Sequence, residues 1–184
     1  VDVNILKEQI LEEIPDAEVT RMEFDMKDQM IRQTIMTTQS DIEEMKKTLE
    51  KIEDKNSYPF SKKIIHSLEK TLPESRARPA RARGFRRVYS LLSTDQMPLV
   101  VLSKDIAISL LYGTGVFSEF SPVNMNLVYD FGSMVLLARP KMPDSHTWRI
   151  TDALISSGKF TSVIHNTEIP VHNGSNVRLL NLPM

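Results

Sequence analysis

Six arginines lie within twelve residues near the middle of the chain, and their chemistry suits the binding of an anion. Residues 74–87 have the sequence ESRARPARARGFRR, with no lysine and no acidic residue after Glu74. A guanidinium group forms paired hydrogen bonds with phosphate or carboxylate and stacks on nucleic-acid bases, which an ammonium group does not. This pattern predicts a site for nucleic acid or another anionic partner at Arg76, Arg78, Arg81, Arg83, Arg86 and Arg87.

Three roles for this arginine segment are consistent with the sequence. Pro79 and Gly84 oppose a helix, so residues 74–87 are expected to form an extended arm or linker. The arm could bind RNA or DNA, could bind an acidic protein or the acidic first part of its own oligomer, or could be a solvated linker. Phe85 is the single aromatic residue in the arm, so the arm lacks the stacking platform of a dedicated single-strand binder.

Residues of the types used in catalysis are present, but their spacing matches no catalytic motif. The chain has no cysteine, which removes thiolate catalysis, disulfides, iron–sulfur clusters and cysteine-based zinc sites. Residues 130–132 spell the Asp-Phe-Gly triplet of protein kinases, without the glycine-rich loop, the lysine or the catalytic loop. Residues 113–115, Gly-Thr-Gly, lack the third glycine of a dinucleotide-binding loop. We therefore expect no enzymatic activity, no cofactor and no metal ion.

Two histidines and a glutamate near the end of the chain have the spacing closest to that of metal ligands. They are His165, Glu168 and His172. On a β-strand, positions 165 and 168 point to opposite faces, so a metal site would require an intervening turn. Residues 173–175, Asn-Gly-Ser, fit a glycosylation sequon, but the Asn-Gly pair favours a turn.

Charge is distributed unevenly along the 184 residues. Residues 1–72 carry 16 acidic and 11 basic residues, residues 73–103 carry two acidic residues and six arginines, and residues 104–184 carry six of each sign. A charge-rich segment followed by a charge-poor one is typical of a solvated helical part joined to a compact domain. There is no signal peptide and no apolar run near the roughly 20 residues of a membrane span, so an intracellular location in cytoplasm or nucleus is expected.

A heptad repeat of apolar residues runs from Ile14 to Ile52. Nine of the twelve residues at its a and d positions are apolar, and there is no proline or glycine between Asp16 and Lys55. Such a repeat predicts a coiled coil, and β-branched residues at a favour two parallel strands. Residues 1–57 are therefore predicted to be a helical oligomerisation segment that forms a dimer or tetramer through Phe24, Ile31, Ile35, Ile42, Met45, Leu49 and Ile52.

The first half of this helix carries a second apolar stripe, formed by Val19, Met22, Met26 and Met30. A helix that is apolar on two sides needs partners on both. Self-association is the interpretation we favour. The alternatives are an amphipathic helix that lies on the C-terminal domain of its own chain, and a heterologous partner helix.

The remainder of the chain predicts an α+β fold. A break at residues 57–59 is expected, followed by a short amphipathic helix over 58–73 that Ser61 caps. Residues 88–184 are expected to form a compact α+β domain on an antiparallel sheet. Its predicted helices are 104–112 and 144–157, the second burying Trp148, and its predicted strands are 88–93, 99–102, 123–129, 134–138, 160–165, 167–171 and 177–182.

These features together predict a non-enzymatic, homo-oligomeric scaffold or assembly protein. The coiled coil would set the copy number, and the C-terminal domain would dock partners, with affinity raised by multivalency. The alternative hypothesis is a nucleic-acid-binding protein that uses its clustered arginine arms. The order of coiled coil, arginine-rich arm and small α+β domain is similar to that of multimeric polymerase cofactors and assembly proteins of RNA viruses, and of some chromosome-segregation proteins. This similarity of layout implies a viral structural or polymerase-cofactor protein.

Overall fold

The computed structural model describes residues 17–160 and 168–180, with side chains from Asp25 onward. The chain divides into two compact units, residues 1–45 and residues 46–184. The fold class is α+β as predicted, with a long N-terminal helix followed by a small domain that holds helices and a three-stranded antiparallel sheet. Residues 1–16 of the predicted helical segment 1–57 lie outside the described residues.

Helix α1 spans Ala17–Thr71 without interruption. The predicted break at residues 57–59 and the separate helix capped by Ser61 are therefore wrong. A proline inside a helix costs about 3 kcal/mol, but Pro59 lies on the exposed side while the opposite side is packed from Glu53 to Leu68. The hydroxyl of Ser61 lies inside the helix and donates a hydrogen bond to the carbonyl of Tyr58 at 2.7 Å.

The remaining elements follow α1 in short succession. A 3₁₀ turn at Pro73–Ser75 ends α1, and residues 76–83 form an irregular arm. A second 3₁₀ turn lies at Gly115–Phe117. The regular elements are α2 (Phe85–Ser93), β1 (Leu99–Ser103), α3 (Lys104–Tyr112), β2 (Asn126–Asp130), β3 (Met134–Ala138), α4 (Asp144–Ser156) and α5 (Asn173–Leu180).

The sheet has the order β1-β3-β2, and both strand pairs are antiparallel. Strands β2 and β3 form the predicted hairpin, closed by a hydrogen bond from the Phe131 N–H to the Met134 carbonyl at 2.9 Å. Each of the two faces of the central strand β3 supports one half of the core, as the period of two in a strand requires. On one face, Val135 and Leu137 join a cluster with α2 and α3. On the other, Leu136 and Ala138 pack with α4 and the end of α1.

Three predicted strands are not strands. Residues 88–93 belong to helix α2, because Phe85, Val88 and Leu92 are spaced to form one buried helical face. Residues 177–180 belong to helix α5, and residues 168–171 form a single parallel bridge between Val171 and Leu127. Most of the predicted strand 160–165 lies outside the described residues. Trp148 of α4 is exposed rather than buried.

Candidate interaction surfaces

The predicted oligomerisation residues form a row of exposed apolar side chains on α1. Their exposed fractions range from 41% for Leu49 to 64% for Met45. Phe24 lies within α1, but its side chain is outside the described residues. Apolar side chains of this size are rarely exposed in a contiguous row on a monomeric protein. The exposed residues of this row are Ile31, Ile35, Ile42, Met45, Leu49 and Ile52.

Within the compact unit 46–184, the domain covers the other side of α1. Glu53 is buried, whereas Leu49 and Ile52, which precede it by four residues and by one, are exposed. The alternative that the heptad row lies on the domain of its own chain is therefore wrong for Leu49 and Ile52. Beyond Ile52 the a and d positions are exposed but no longer large and apolar, being Asn56, Pro59, Lys63, His66 and Lys70. The apolar row thus ends where the domain begins to pack on the helix.

The second apolar stripe of the helix is also exposed over the residues that the structure describes. Met26 and Met30, at 61% and 65% exposure, belong to the predicted stripe, and Met36 at 69% lies farther along the helix outside the a and d positions. Unbranched methionine side chains adapt their shape to a partner surface. This part of α1 therefore has apolar residues on more than one side, which fits a bundle better than a simple two-stranded coil.

Arg81 is the one arginine of the arm that forms an ion pair among the described residues. Its Nε lies 2.9 Å and 3.2 Å from the two carboxylate oxygens of Asp54, and one of its terminal nitrogens also contacts that carboxylate. Its guanidinium carbon lies 5.1 Å from the centre of the Tyr58 ring. The hydrogen bonds from Arg81, together with the charges of Arg81 and Arg83, lower the pKa of Asp54. The arm is therefore attached to α1 of its own chain at this point.

The other five predicted arginines are exposed and form no ion pair with any described residue. Arg76 has a left-handed backbone conformation, with φ of 48°, just after the 3₁₀ turn. Arg86 and Arg87 lie in the first turn of α2, so the predicted arm ends earlier than residue 87. The Arg86 guanidinium lies 6.0 Å from the centre of the Phe120 ring. Five guanidinium groups are thus accessible, three on the irregular arm and two on helix α2.

Two glutamates of α1 hold the N-terminal ends of two helices of the domain. Glu50 accepts a hydrogen bond from the Phe85 N–H at 3.1 Å, at the start of α2. Glu53 accepts from Ser103, the residue before α3, through the backbone N–H at 2.8 Å and the hydroxyl at 2.5 Å. Free N–H groups and the helix dipole make a helix N-terminus favourable for a carboxylate. Sequence reasoning missed this role, although the spacing of Glu50, Glu53 and Asp54 places all three on one face of α1.

Two of the residues considered for catalysis or metal binding, Asp130 and His172, form contacts within the domain. Asp130 stabilises the β2–β3 turn, because its carboxylate accepts from the Gly132 N–H at 2.8 Å and pairs with Lys104 at 2.9 Å. His172 is buried, and its Nδ1 lies 2.9 Å from the Thr147 hydroxyl. His165 lies outside the described residues. Within residues 17–160 and 168–180, no group of three histidine or acidic side chains is placed to hold a metal ion.

Comparison with known proteins assigns no family to the chain. No protein-family model, curated protein or solved structure matches it. Of the helices that the structure describes, none combines the length and the apolar character needed to cross a membrane.

Proposed function

We propose that the protein is a non-enzymatic, homo-oligomeric scaffold or assembly protein of the cytoplasm or nucleus. Helix α1 sets the copy number, as a dimer or tetramer, and the C-terminal domain docks partners. The observation that carries this proposal is the exposed apolar row at the a and d positions of α1, from Ile31 to Ile52. A second copy of the same row would cover it by the knobs-into-holes packing of a coiled coil.

The contacts of α1 with the domain support the same proposal. Glu50, Glu53 and Asp54 fix one side of the helix to helices α2 and α3 and to the arm. Leu49 and Ile52 remain exposed while these contacts are made. Self-association through the row therefore requires no loss of the contacts that hold the domain. Each α1 carries one domain, so an oligomer would present one copy of the domain for each helix. Several copies together raise a weak affinity for a partner.

Light-scattering mass after size exclusion tests this function on the full chain. We expect the unmodified chain to have a mass of two or four times 21.0 kDa. The double substitution Ile42→Asp and Leu49→Asp introduces charge at two a positions seven residues apart, and we expect a monomer. The matched control, Gln33→Asp and Ser40→Asp, introduces the same charge at two f positions seven residues apart, and we expect an unchanged mass. An oligomer that survives the first pair, or that only the control disrupts, contradicts the proposal.

Nucleic-acid binding through the arginines is the second candidate function. It is favoured by the five exposed guanidinium groups that lack an ion-pair partner among the described residues. Five phosphate contacts on a single strand would make the logarithm of the association constant fall with the logarithm of salt concentration at a slope of about −3.5. Several arms brought together by α1 would steepen this slope.

Fluorescence anisotropy with a labelled 20-nucleotide RNA of mixed sequence tests this second function. Replacing the five exposed arginines with glutamine is expected to abolish the binding and its salt dependence. A matched control replaces five exposed lysines with glutamine, and it is expected to retain the binding and its salt dependence. Binding that persists without the arginines, or that the lysine variant loses equally, would place the contact elsewhere. The arginines are Arg76, Arg78, Arg83, Arg86 and Arg87, and the lysines are Lys62, Lys63, Lys70, Lys141 and Lys159.

A further inference from the structure

Strand β1 is an edge strand, and two hydrogen bonds next to it fix the direction of its backbone groups. The Lys104 N–H donates to the Ser133 carbonyl at 2.9 Å, and the Arg139 N–H donates to the Pro98 carbonyl at 3.1 Å. Both bonds belong to the β1–β3 register. In an antiparallel pair, residues that share hydrogen bonds alternate with residues that do not. The even-numbered residues of β1 therefore bond to β3, and the odd-numbered residues direct their N–H and carbonyl groups away from the sheet.

The outward row consists of Leu99, Val101 and Ser103. The Ser103 N–H is satisfied by Glu53, at 2.8 Å. No described residue forms a hydrogen bond with the outward backbone groups of Leu99 and Val101. Both residues are half-buried, and the unpaired N–H and carbonyl groups of an edge strand are a template for pairing with another chain. This short edge therefore carries two donors and two acceptors in the arrangement that a further strand would pair with.

A cavity of about 370 Å³ lies along this edge, inside the compact unit. It lies between β1, helix α1 and the arm, and it is partly open to solvent. Its volume is within the range of about 300–1,000 Å³ that is typical of ligand-binding pockets. Its apolar wall includes Ile64, Ile65, Leu68, Leu99 and Val101. The space next to the unpaired edge is thus suited to apolar side chains carried on an extended backbone.

The charged residues that line the cavity indicate which side chains a peptide bound there should have. Three acidic residues line the cavity, and each has a partner. Glu50 is bound to the Phe85 N–H, Glu53 to Ser103 and Asp54 to Arg81. Arg78 lines the cavity, is exposed, and has no ion-pair partner within the described ranges 17–160 and 168–180. Arg78 is therefore the one charged group of the lining that has no bonded partner among the described residues. An acidic side chain on the occupant would complement it.

We propose that an extended peptide segment of a partner protein adds to β1 as a fourth strand in this cavity. Its backbone pairs with Leu99 and Val101, its alternate side chains are apolar, and an acidic residue lies next to Arg78. Strand addition of this kind obtains affinity from main-chain hydrogen bonds and specificity from pockets for alternate side chains. The inference gives the proposed scaffold its docking surface and rests on that function.

Hydrogen exchange of single amides, followed by NMR on the full chain, tests the proposal. The probes are capped heptapeptides with valine or isoleucine at alternate positions and aspartate at either end. In the free protein, the Leu99 and Val101 amides should exchange quickly and those of Val100 and Leu102 slowly. A binding peptide should slow exchange at Leu99 and Val101 at least tenfold and leave Val100 and Leu102 unchanged.

Two controls separate backbone pairing from apolar contact alone. Along a paired peptide, the nitrogens that face β1 alternate with those that face away. N-methylation of the first set should abolish the slowing of exchange, and N-methylation of the second set should preserve it. Val101→Pro removes the outward N–H at an edge position where proline is tolerated, and it should weaken binding at least tenfold, whereas Val101→Thr should not. If Val101→Pro fails to fold, the two methylated peptides decide the question without any substitution in the protein.

Three results would overturn the proposal. They are no slowing with any peptide, equal slowing with both methylated sets, and slowing that appears without peptide as protein concentration rises, which would place a second copy of the chain on the edge. The oligomer mass is measured separately on the same samples. A mass of two or four times 21.0 kDa without slower exchange at Leu99 and Val101 rejects the docking surface alone. A monomeric mass with slower exchange at both amides rejects the oligomeric function alone.

Discussion

Glu53 of helix α1 accepts two hydrogen bonds from Ser103, the last residue of β1 and the residue before α3. Its carboxylate oxygens lie 2.8 Å from the Ser103 nitrogen and 2.5 Å from the Ser103 hydroxyl oxygen. The hydroxyl of Ser103 does not cap its own helix, because it donates to the carboxylate of Glu53. Glu53 is 8% exposed, and hydrogen bonds to a buried charged group are stronger than neutral ones. This contact joins the long helix to the sheet and fixes which side of α1 remains free.

Replacing Glu53 with alanine should lower the free energy of unfolding by about 1–3 kcal/mol, because the Ser103 N–H then loses its partner in a half-buried position. Glu53→Gln should lower it less, since the amide oxygen still accepts one bond. Urea unfolding at a fixed protein concentration measures both. Glu69→Ala, at an exposed position of the same helix, is the control and should stay within about 0.5 kcal/mol of the unmodified chain. Equal losses at positions 53 and 69 would contradict the role given to Glu53.

The Asp54–Arg81 pair should make part of the stability depend on pH. Hydrogen bonds from Arg81 lower the pKa of Asp54 below its ordinary value of 3.8. A carboxylate whose pKa is lower in the folded state stabilises that state above its unfolded pKa, and the contribution is lost as pH falls through the folded pKa. Asp54→Asn should therefore lower the Tm at pH 7, and the difference from the unmodified chain should shrink below about pH 4. Thermal unfolding followed by circular dichroism measures both quantities. A difference that stays constant down to pH 2.5 would contradict this account.

Gly174 is needed for close contact between α5 and α4, not for a turn. A Cβ at this position would overlap the carbonyl oxygen of Asp144 and the hydroxyl of Thr147. Gly174→Ala should therefore destabilise the chain by about 1–3 kcal/mol, as overpacking of a core does. Asn176→Ala, two residues later on the exposed side of the same helix, is the matched control and should have little effect. Urea unfolding of the two variants provides the comparison, and a neutral Gly174→Ala would show that the two helices are less tightly packed than described.

Single cysteines test whether the strands of the proposed coil are parallel, because the natural chain contains none. In a parallel, in-register coil, residue 42 of each copy faces residue 42 of the other. Ile42→Cys should then form a disulfide-linked dimer on mild oxidation, since a disulfide requires Cα atoms within about 7 Å. Ser40→Cys, at an f position, should remain reduced under the same conditions. Non-reducing electrophoresis distinguishes them, and cross-linking of Ser40→Cys alone would contradict the assigned heptad positions.

The fold class and most elements of the domain could be predicted from the sequence. Local sequence patterns predict helix α3, the β2–β3 hairpin and helix α4, because each has its own apolar spacing and its own terminating residues. Helix α3, for example, ends before Gly113, which has a φ of 63°. Helix α2 was missed because residues 88–93 are β-prone locally. The Phe85–Val88–Leu92 face that makes the segment helical becomes decisive only when it packs on the sheet.

Interactions over long sequence distances could not be predicted. Glu50 and Glu53 resemble ordinary solvated charges of a coil, and their partners lie 35 and 50 residues away. Pro59 has a strong local preference to end a helix, which the packing of Ile64 and Leu68 outweighs. The exposed row of α1 was predictable because a heptad repeat is a local pattern. The unpaired edge of β1 was not, since it depends on the strand order.

Sedimentation equilibrium of the unmodified full chain, from micromolar to near-millimolar concentration, tests the central claim most directly. The exposed row from Ile31 to Ile52 predicts a single associated species, two or four times 21.0 kDa, that dissociates only at the lowest concentrations. A mass of 21.0 kDa across the whole range would contradict it, and the row would then have to be covered by another protein.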